Sequence, residues 1–146
     1  MTTKFDVRVD ASRRVVFVRL TGLLNEQDLH AMARAGRAAH DSFAGRRHFA
    51  VADMRGMKTV QPALAEILGD AIRYGRQRGV VLCAHVSDDT VQRLQAARVA
   101  RKYSVDDDVT VEVVSLEEAN RVIASYSKHL DDPRYPSSIR AAIPAR

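Results

Sequence analysis

Cysteine and aromatic side chains are scarce in this chain of 146 residues. The single cysteine, Cys83, cannot form an internal disulfide, and its place in the apolar run 80–84 predicts an inert, buried thiol. Tryptophan is absent and only 5% of residues are aromatic, so the sequence offers no stacking platform for single-stranded nucleic acid. The net charge of +5 is not diagnostic, and we expect no nucleic-acid partner.

Long apolar runs are also missing. No run approaches the roughly 20 residues that cross a bilayer, and residues 1–6 lead into strand-like alternation without the apolar stretch of a secretory signal. We therefore expect a cytoplasmic protein without a membrane span. The length fits one domain, which we place at residues 1–130. Three of the four prolines follow it, which predicts an extended C-terminal tail over residues 131–146.

The familiar catalytic and metal-binding motifs are absent from the sequence. It contains no Gly-rich phosphate loop, His-Glu-x-x-His, Cys-x-x-Cys or Gly-x-Ser-x-Gly, so we predict no catalytic residue and no cofactor. His85, Asp88 and Asp89 lie close together, but helix capping explains them more simply than a metal ion. His30 lacks the second histidine and carboxylates of a metal-binding helix, and we predict no metal site.

Alternating and continuous apolar runs predict five strands. Residues 4–10 and 14–21 alternate apolar and polar side chains around a polar turn, which indicates an antiparallel hairpin. Residues 48–52 and 80–84 are short apolar runs typical of strands buried on both faces, and residues 109–114 form the last strand.

Helical periodicity separates these strands. Asn25 with Asp28 offers an N-cap and a first-turn acid, Pro62 suits a first helical position, and Ser115 with Glu118 reads as a capping box. The predicted helices cover residues 26–43, 62 to about 79, 88–102, and 116 to about 128 or 129. The order β-β-α-β-α-β-α-β-α predicts an α/β fold with a mixed, mostly parallel five-stranded sheet and four helices.

The strand-to-helix junction over residues 53–62 is the strongest candidate site. In open α/β sheets, ligands and partners gather at the carboxyl ends of strands, beside helix starts. Arg55 and Lys58 flank Gly56 there, and the free N–H groups of the next helix attract carboxylates or phosphates. Solvated loop cations, with Asp53 fixing the turn, explain the same residues, so both interpretations stay open.

The element order, with a short strand ending in Asp53, a loop carrying Gly56 and a helix from Pro62, resembles the STAS domain of bacterial anti-sigma-factor antagonists. The resemblance covers residues 4–129. The family signature has Asp, two residues, Gly, four residues, and then Asp-Ser at the helix start. Asp53 and Gly56 match this signature.

Two positions depart from the family signature. Gln61 stands where the family has the second Asp, and Pro62 stands where it has the phosphorylated Ser. Thr59 is three residues away and is a poor substitute. Because proline has no hydroxyl to phosphorylate, the chain is more similar to the looser SpoIIAA-like group, whose members often lack that serine.

We therefore expect a non-enzymatic regulatory or signalling module that binds an unidentified protein partner. The alternative is a small anionic or lipid-like ligand in the same crevice, which a lined cavity there would favour over a flat surface. An enzyme ranks well below both, and we expect a homodimer from the small residues on the helix faces. The predicted binding residues are Asp53, Arg55, Gly56, Lys58, Thr59, Gln61 and Pro62.

Overall fold

The computed structural model describes residues 4–58, 62–87 and 109–133, which form one sheet and three helices. The strands are β1 (Phe5–Asp10), β2 (Val15–Leu20), β3 (His48–Asp53), β4 (Val80–Val86) and β5 (Thr110–Val113). The helices are α1 (Glu26–Asp41), α2 (Pro62–Gln77) and α3 (Leu116–Ser127). Three of the four predicted helices are therefore observed. The helix expected over residues 88–102 lies outside the described residues. The tail beyond residue 133 also lies outside them.

The five strands form a single sheet in the order β1-β2-β3-β4-β5. β1 pairs antiparallel with β2, whereas β2, β3, β4 and β5 are parallel neighbours, as the alternation of strands and helices predicted. The hairpin turn is held by Asp10, whose carboxylate accepts hydrogen bonds from the Ser12 hydroxyl and the Arg13 backbone N–H. The predicted mixed, mostly parallel sheet is confirmed.

The carboxyl ends of the central strands lie at one edge of this sheet. Asp53 of β3 is level with Val86 of β4, and Val86 is level with Val113 of β5. The parallel ladder carries β3 one residue and β4 two residues past their predicted ends, because backbone hydrogen bonding continues through polar positions such as His85. The candidate junction therefore begins at this edge.

Two helix starts are capped as their sequences indicated. The Asn25 side chain accepts a hydrogen bond from the Asp28 backbone N–H at 2.8 Å, and the Asp28 carboxylate accepts from the Asn25 N–H at 3.0 Å. At α3, Ser115 Oγ accepts from the Glu118 N–H, but the Glu118 carboxylate accepts from the N–H of Val114. The second capping box therefore closes one residue earlier than the standard form.

The helices cover the two faces of the sheet unequally. Val15 packs into the cluster beneath α3, and its neighbour Val16 packs against α1, since successive strand residues point to opposite faces. α1 and α2 lie together on the second face. The α3 face is built from Val15, Phe49, Val51, Leu82, Ala84, Val86, Val113, Ala119, Ile123 and Leu130. The opposite face includes Leu20, Leu24, Leu29, Met32, Met54 and Met57.

The last described residues are tied back to the sheet. Arg14 forms an ion pair with Asp131 at 2.7 Å, and an Arg47 N–H donates to the carbonyl of Asp132 at 3.2 Å. Leu130 is buried in the α3 core. Among the helices of the described ranges, none combines the length and apolarity needed to cross a membrane.

Candidate functional site

The predicted loop begins with an internal ion pair. Asp53 is the last residue of β3, and both of its carboxylate oxygens accept hydrogen bonds from the Arg55 guanidinium at 2.9 Å. The Arg55 backbone N–H donates to the same carboxylate at 3.2 Å. Burial alone would raise the pKa of Asp53, but the hydrogen bonds and charge of Arg55, with the charge of Arg19, lower it. Asp53 therefore acts as an ionised acceptor that fixes the turn.

Gly56 adopts a left-handed backbone conformation that lets the loop pass close to the end of β2. Its φ is +80°, and a Cβ at this position would lie 3.3 Å from the Thr21 hydroxyl. The Gly22 N–H donates to the Gly56 carbonyl at 3.0 Å, and the Lys58 N–H donates to the Gly22 carbonyl at 2.9 Å. These bonds join the loop after β2 to the loop after β3.

The structure brings part of the predicted site together. Asp53, Arg55, Gly56 and Lys58 form one short loop, and Lys58 is exposed. Pro62 is the first residue of α2, as predicted. The other two predicted residues, Thr59 and Gln61, lie outside the described ranges. The binding role of all these residues stays a prediction.

Sequence reasoning missed the loop that follows β2. Leu23 is 65% exposed although it lies between Gly22, which is bonded to Gly56, and the buried Leu24. An isolated exposed leucine has no periodic signature, so only its position beside the junction reveals it. We call Leu23, Arg55, Gly56 and Lys58 the paired-loop surface.

A cavity of about 110 Å³ lies behind this surface, between α1, α2 and the sheet. Met54 and Met57 of the loop form part of its wall, so it reaches the predicted junction from the inside. Its remaining apolar wall includes Leu20, Met32, Ala33, Ala50, Ala65, Leu68, Ala71, Ile72 and Cys83. The burial predicted for the Cys83 thiol is confirmed, since the residue is only 7% exposed.

Two buried histidines are hydrogen-bonded beside this cavity. His48 Nδ1 lies 2.8 Å from the Arg46 carbonyl oxygen, and His48 Nε2 lies 2.9 Å from His40 Nδ1. Because a carbonyl only accepts, His48 Nδ1 carries a proton, and in a neutral ring its Nε2 is an acceptor. His40 Nδ1 therefore donates to His48, which leaves His40 Nε2 as an acceptor in the neutral ring.

Burial keeps both rings neutral near pH 7. Burial lowers the pKa of His40 to about 4, the charge of His48 lowers it further, and Asp41 opposes the shift. Burial also lowers the pKa of His48. The hydrogen bond to the Arg46 carbonyl raises this pKa, and the charge of Arg14 lowers it. The ring of His48 stacks on Phe43, with ring centroids 4.4 Å apart.

The His40 ring also lies against α2 at Gly75. A Cβ added at Gly75 of α2 would lie 3.0 Å from His40 Nε2, so glycine lets α2 approach the ring. Sequence analysis did not single out His40, yet a signal exists. It lies four residues after Gly36 and three before Phe43, on the apolar face of α1.

The metal-binding alternatives find no support within the described residues. No group of three or more histidine, cysteine or acidic side chains there has the arrangement of a metal site. His30 is exposed and lies 3.5 Å from Glu26, which agrees with a solvated helix face. His85 is buried against the cavity, whereas Asp88 and Asp89 lie outside the described ranges.

Comparison with solved structures reveals a likeness in fold. No protein-family model and no curated protein matches the chain. A solved structure from Shewanella loihica PV-4, described as an uncharacterised protein of the DUF3478 family with a SpoIIAA-like fold, superposes with a TM-score of 0.63. The match covers 82% of this chain and 93% of that chain at 13% identity. At such low identity the likeness concerns the fold alone, and it confirms the predicted SpoIIAA-like architecture.

Proposed function

We propose that this chain, whose fold is SpoIIAA-like, is a non-enzymatic STAS-like regulatory module that binds a protein partner through the junction over residues 53–62. The likeness in fold supports the regulatory class. A cytoplasmic location and an unidentified regulatory partner belong to the same proposal. Since Pro62 occupies the position of the family's phosphorylated serine, binding is not controlled by phosphorylation at that residue.

The paired-loop surface is the observation that carries this proposal. Backbone hydrogen bonds between Gly22, Gly56 and Lys58 hold the two loops together, so a partner meets a surface that is already ordered. A preordered loop loses little conformational entropy on binding. Leu23 supplies exposed apolar area beside the Lys58 cation, which suits a partner with an apolar contact and an acidic rim.

The ion pair within the loop decides which cation faces the partner. Arg55 places its guanidinium on both oxygens of Asp53, so most of its charge is compensated inside the loop. The Lys58 backbone N–H is engaged with Gly22, whereas its side chain is exposed. Lys58 and Leu23 therefore carry the expected contact, and Asp53, Arg55 and Gly56 keep the loop in shape.

Native mass spectrometry of the chain purified from its own host tests this proposal. The Leu23→Ser, Lys58→Glu double variant should lose the co-purified partner that the wild-type chain retains. Val9→Ser is the matched control, since Val9 is 43% exposed but lies level with Val16, toward the opposite end of β2. Retention of the partner by the double variant, or its loss from the control, would contradict docking at the paired-loop surface.

The cavity supports a second candidate function, the binding of a small apolar or lipid-like ligand. The cavity is partly open and offers a volume of about 110 Å³, and an apolar cavity of about 150 Å³ is known to hold benzene. Its wall is largely apolar, so the lipid-like form of the predicted ligand fits better than the anionic form.

The cavity function is tested by filling the space. Ala33 is 4% exposed and lines the cavity, so Ala33→Leu should occupy part of the volume and abolish binding of toluene as a probe. The measurement is a titration of toluene followed by the methyl signals of ¹³C-labelled methionine, because Met32, Met54 and Met57 all line the cavity. No change in these signals with the wild-type chain would contradict the cavity function.

A further inference from the structure

The cavity behind the junction is not uniformly apolar, because the side chain of His40 is part of its wall. His40 is only 8% exposed, and its Nε2 makes no hydrogen bond within the described residues. The bonds from the Arg46 carbonyl through His48 to His40 Nδ1 leave this nitrogen with a lone pair. An acceptor of this kind gains a hydrogen bond from a donor that enters the cavity and reaches it.

The other polar side chains described at this end of the cavity are differently placed. The Tyr74 hydroxyl donates to the Asp41 carboxylate at 2.7 Å, outside the apolar space. Arg37 is exposed, so its charge is solvated. His85 also lines the cavity, but it is engaged in an interaction of its own.

From this arrangement we propose that the cavity binds a small neutral molecule that joins an apolar body to one hydroxyl, with the hydroxyl donating to His40 Nε2. The inference rests on the cavity-binding function proposed above and names the chemical class of its ligand. The volume limits the buried part of the ligand to about one aromatic ring or a short branched chain.

The apolar part of the lining disfavours charged ligands of the same size. A carboxylate would place its negative charge against the lone pair of His40 Nε2 and would lose its hydration in an apolar space. An ammonium ion would also lose its hydration, and it would gain one hydrogen bond, to His40 Nε2. A neutral hydroxyl loses less on entry and recovers a hydrogen bond.

Two probes of similar size separate this inference from the function on which it rests. Phenol and toluene differ by a hydroxyl in place of a methyl group, so toluene reports the cavity and phenol reports the acceptor. Each is titrated into the full chain, and the ¹³C-methyl signals of Met32, Met54 and Met57 locate binding and give the Kd. The wild-type chain should bind both probes.

The decisive variant is His40→Asn. The asparagine amide reaches the place of His40 Nδ1 and keeps a donor for His48, but it removes the acceptor at the Nε2 position. The Kd of phenol should rise roughly tenfold or more, whereas the Kd of toluene should change much less. His30→Asn is the matched control, because His30 lies on the exposed face of the same helix and outside the cavity wall, and it should leave the ratio of the two Kd values as in the wild-type chain.

The outcomes distinguish the two levels of the proposal. Binding of both probes by the wild-type chain, with a loss of phenol confined to His40→Asn, supports the hydroxyl assignment. Binding of toluene without phenol overturns the ligand class while the cavity function stands, as does an unchanged ratio in His40→Asn. Failure of both probes to bind the wild-type chain overturns the cavity function and the inference together.

Discussion

The two faces of the sheet are packed from side chains of different size. Along β3, the α3 face receives Phe49 and Val51, whereas the α1–α2 face receives Ala50 and Ala52. On β4, Leu82 lies on the α3 face and Cys83 on the cavity side, although the next pair, Ala84 and His85, reverses the contrast. The helices above the cavity contribute the small residues Ala33, Gly36, Ala65 and Ala71 to its wall, beside the larger Met32, Leu68 and Ile72.

This contrast explains why the cavity lies where it does. Large side chains from the sheet and from α3 meet on one face and fill the space between them. On the other face, small side chains such as Ala50, Ala52 and Ala33 leave space between the sheet and the helices. Two buried histidines add polar groups there, which cost free energy unless they are hydrogen-bonded. The α1–α2 face thus keeps space beside buried polar groups.

Truncation of a large side chain on the packed face should have the largest effect. Phe49 is fully buried, and Phe49→Ala should lower the free energy of unfolding by about 3–5 kcal/mol. Met32→Ala on the cavity face should cost less, about 2 kcal/mol, because Met32 already borders empty space. Urea denaturation measures both values. Equal losses of unfolding free energy would contradict the difference in packing between the two faces of the sheet.

The histidine pair should make stability depend on pH. The unfolded chain takes up a proton at His40 near its ordinary pKa of 6.5, whereas the folded chain does so only near its lowered pKa of about 4. The free energy of unfolding should therefore fall by about 3 kcal/mol as the pH drops from 7 to 4. His48, whose pKa is also lowered, acts in the same direction.

Urea denaturation at several pH values measures this slope. His40→Asn should flatten it, since the variant cannot take up the proton. The lowered pKa of Asp53 acts in a different window, because its contribution is lost only as the pH falls below its ordinary 3.8. A slope in His40→Asn as steep as in the wild-type chain would show that His40 is not its source.

Two substitutions of alanine by leucine, one on each face, should give the smallest changes in stability and the clearest difference between the faces. Ala119 of α3 is fully buried in the packed core, so Ala119→Leu should overpack it and cost about 1–3 kcal/mol. Ala33→Leu adds the same atoms beside the cavity and should change stability by less than about 1 kcal/mol. Thermal unfolding of the two variants checks the difference, and a cost at Ala33 as large as at Ala119 would argue against the cavity.

The fold could be predicted from the sequence because the patterns that indicate its strands and helices are local. Alternation in residues 4–10 and 14–21, the apolar runs of β3 and β4, and the Asn25 cap each report on a few neighbouring residues. The element order then sufficed to indicate a SpoIIAA-like architecture. The ends of strands were less accurate, because they depend on pairing with a neighbouring strand.

The candidate site was only partly accessible, since its remaining features depend on residues that are distant in sequence. The position of the Asp53–Gly56 loop was predicted, but its bond to Gly22 requires the end of β2 to lie beside it. The hydrogen bond from His40 to His48 joins α1 to β3. The cavity depends on the spacing of two helices over the sheet, and no sequence pattern encodes empty volume.

A crystal structure of the chain determined under xenon pressure tests the central claim most directly. Xenon enters dry apolar cavities of this size without requiring a specific ligand. We predict one xenon atom between α1, α2 and the sheet, in contact with the side chains around Ala33 and Cys83, and none beneath α3. The absence of xenon between the helices and the sheet, with α2 closed onto Ala50, would contradict the account.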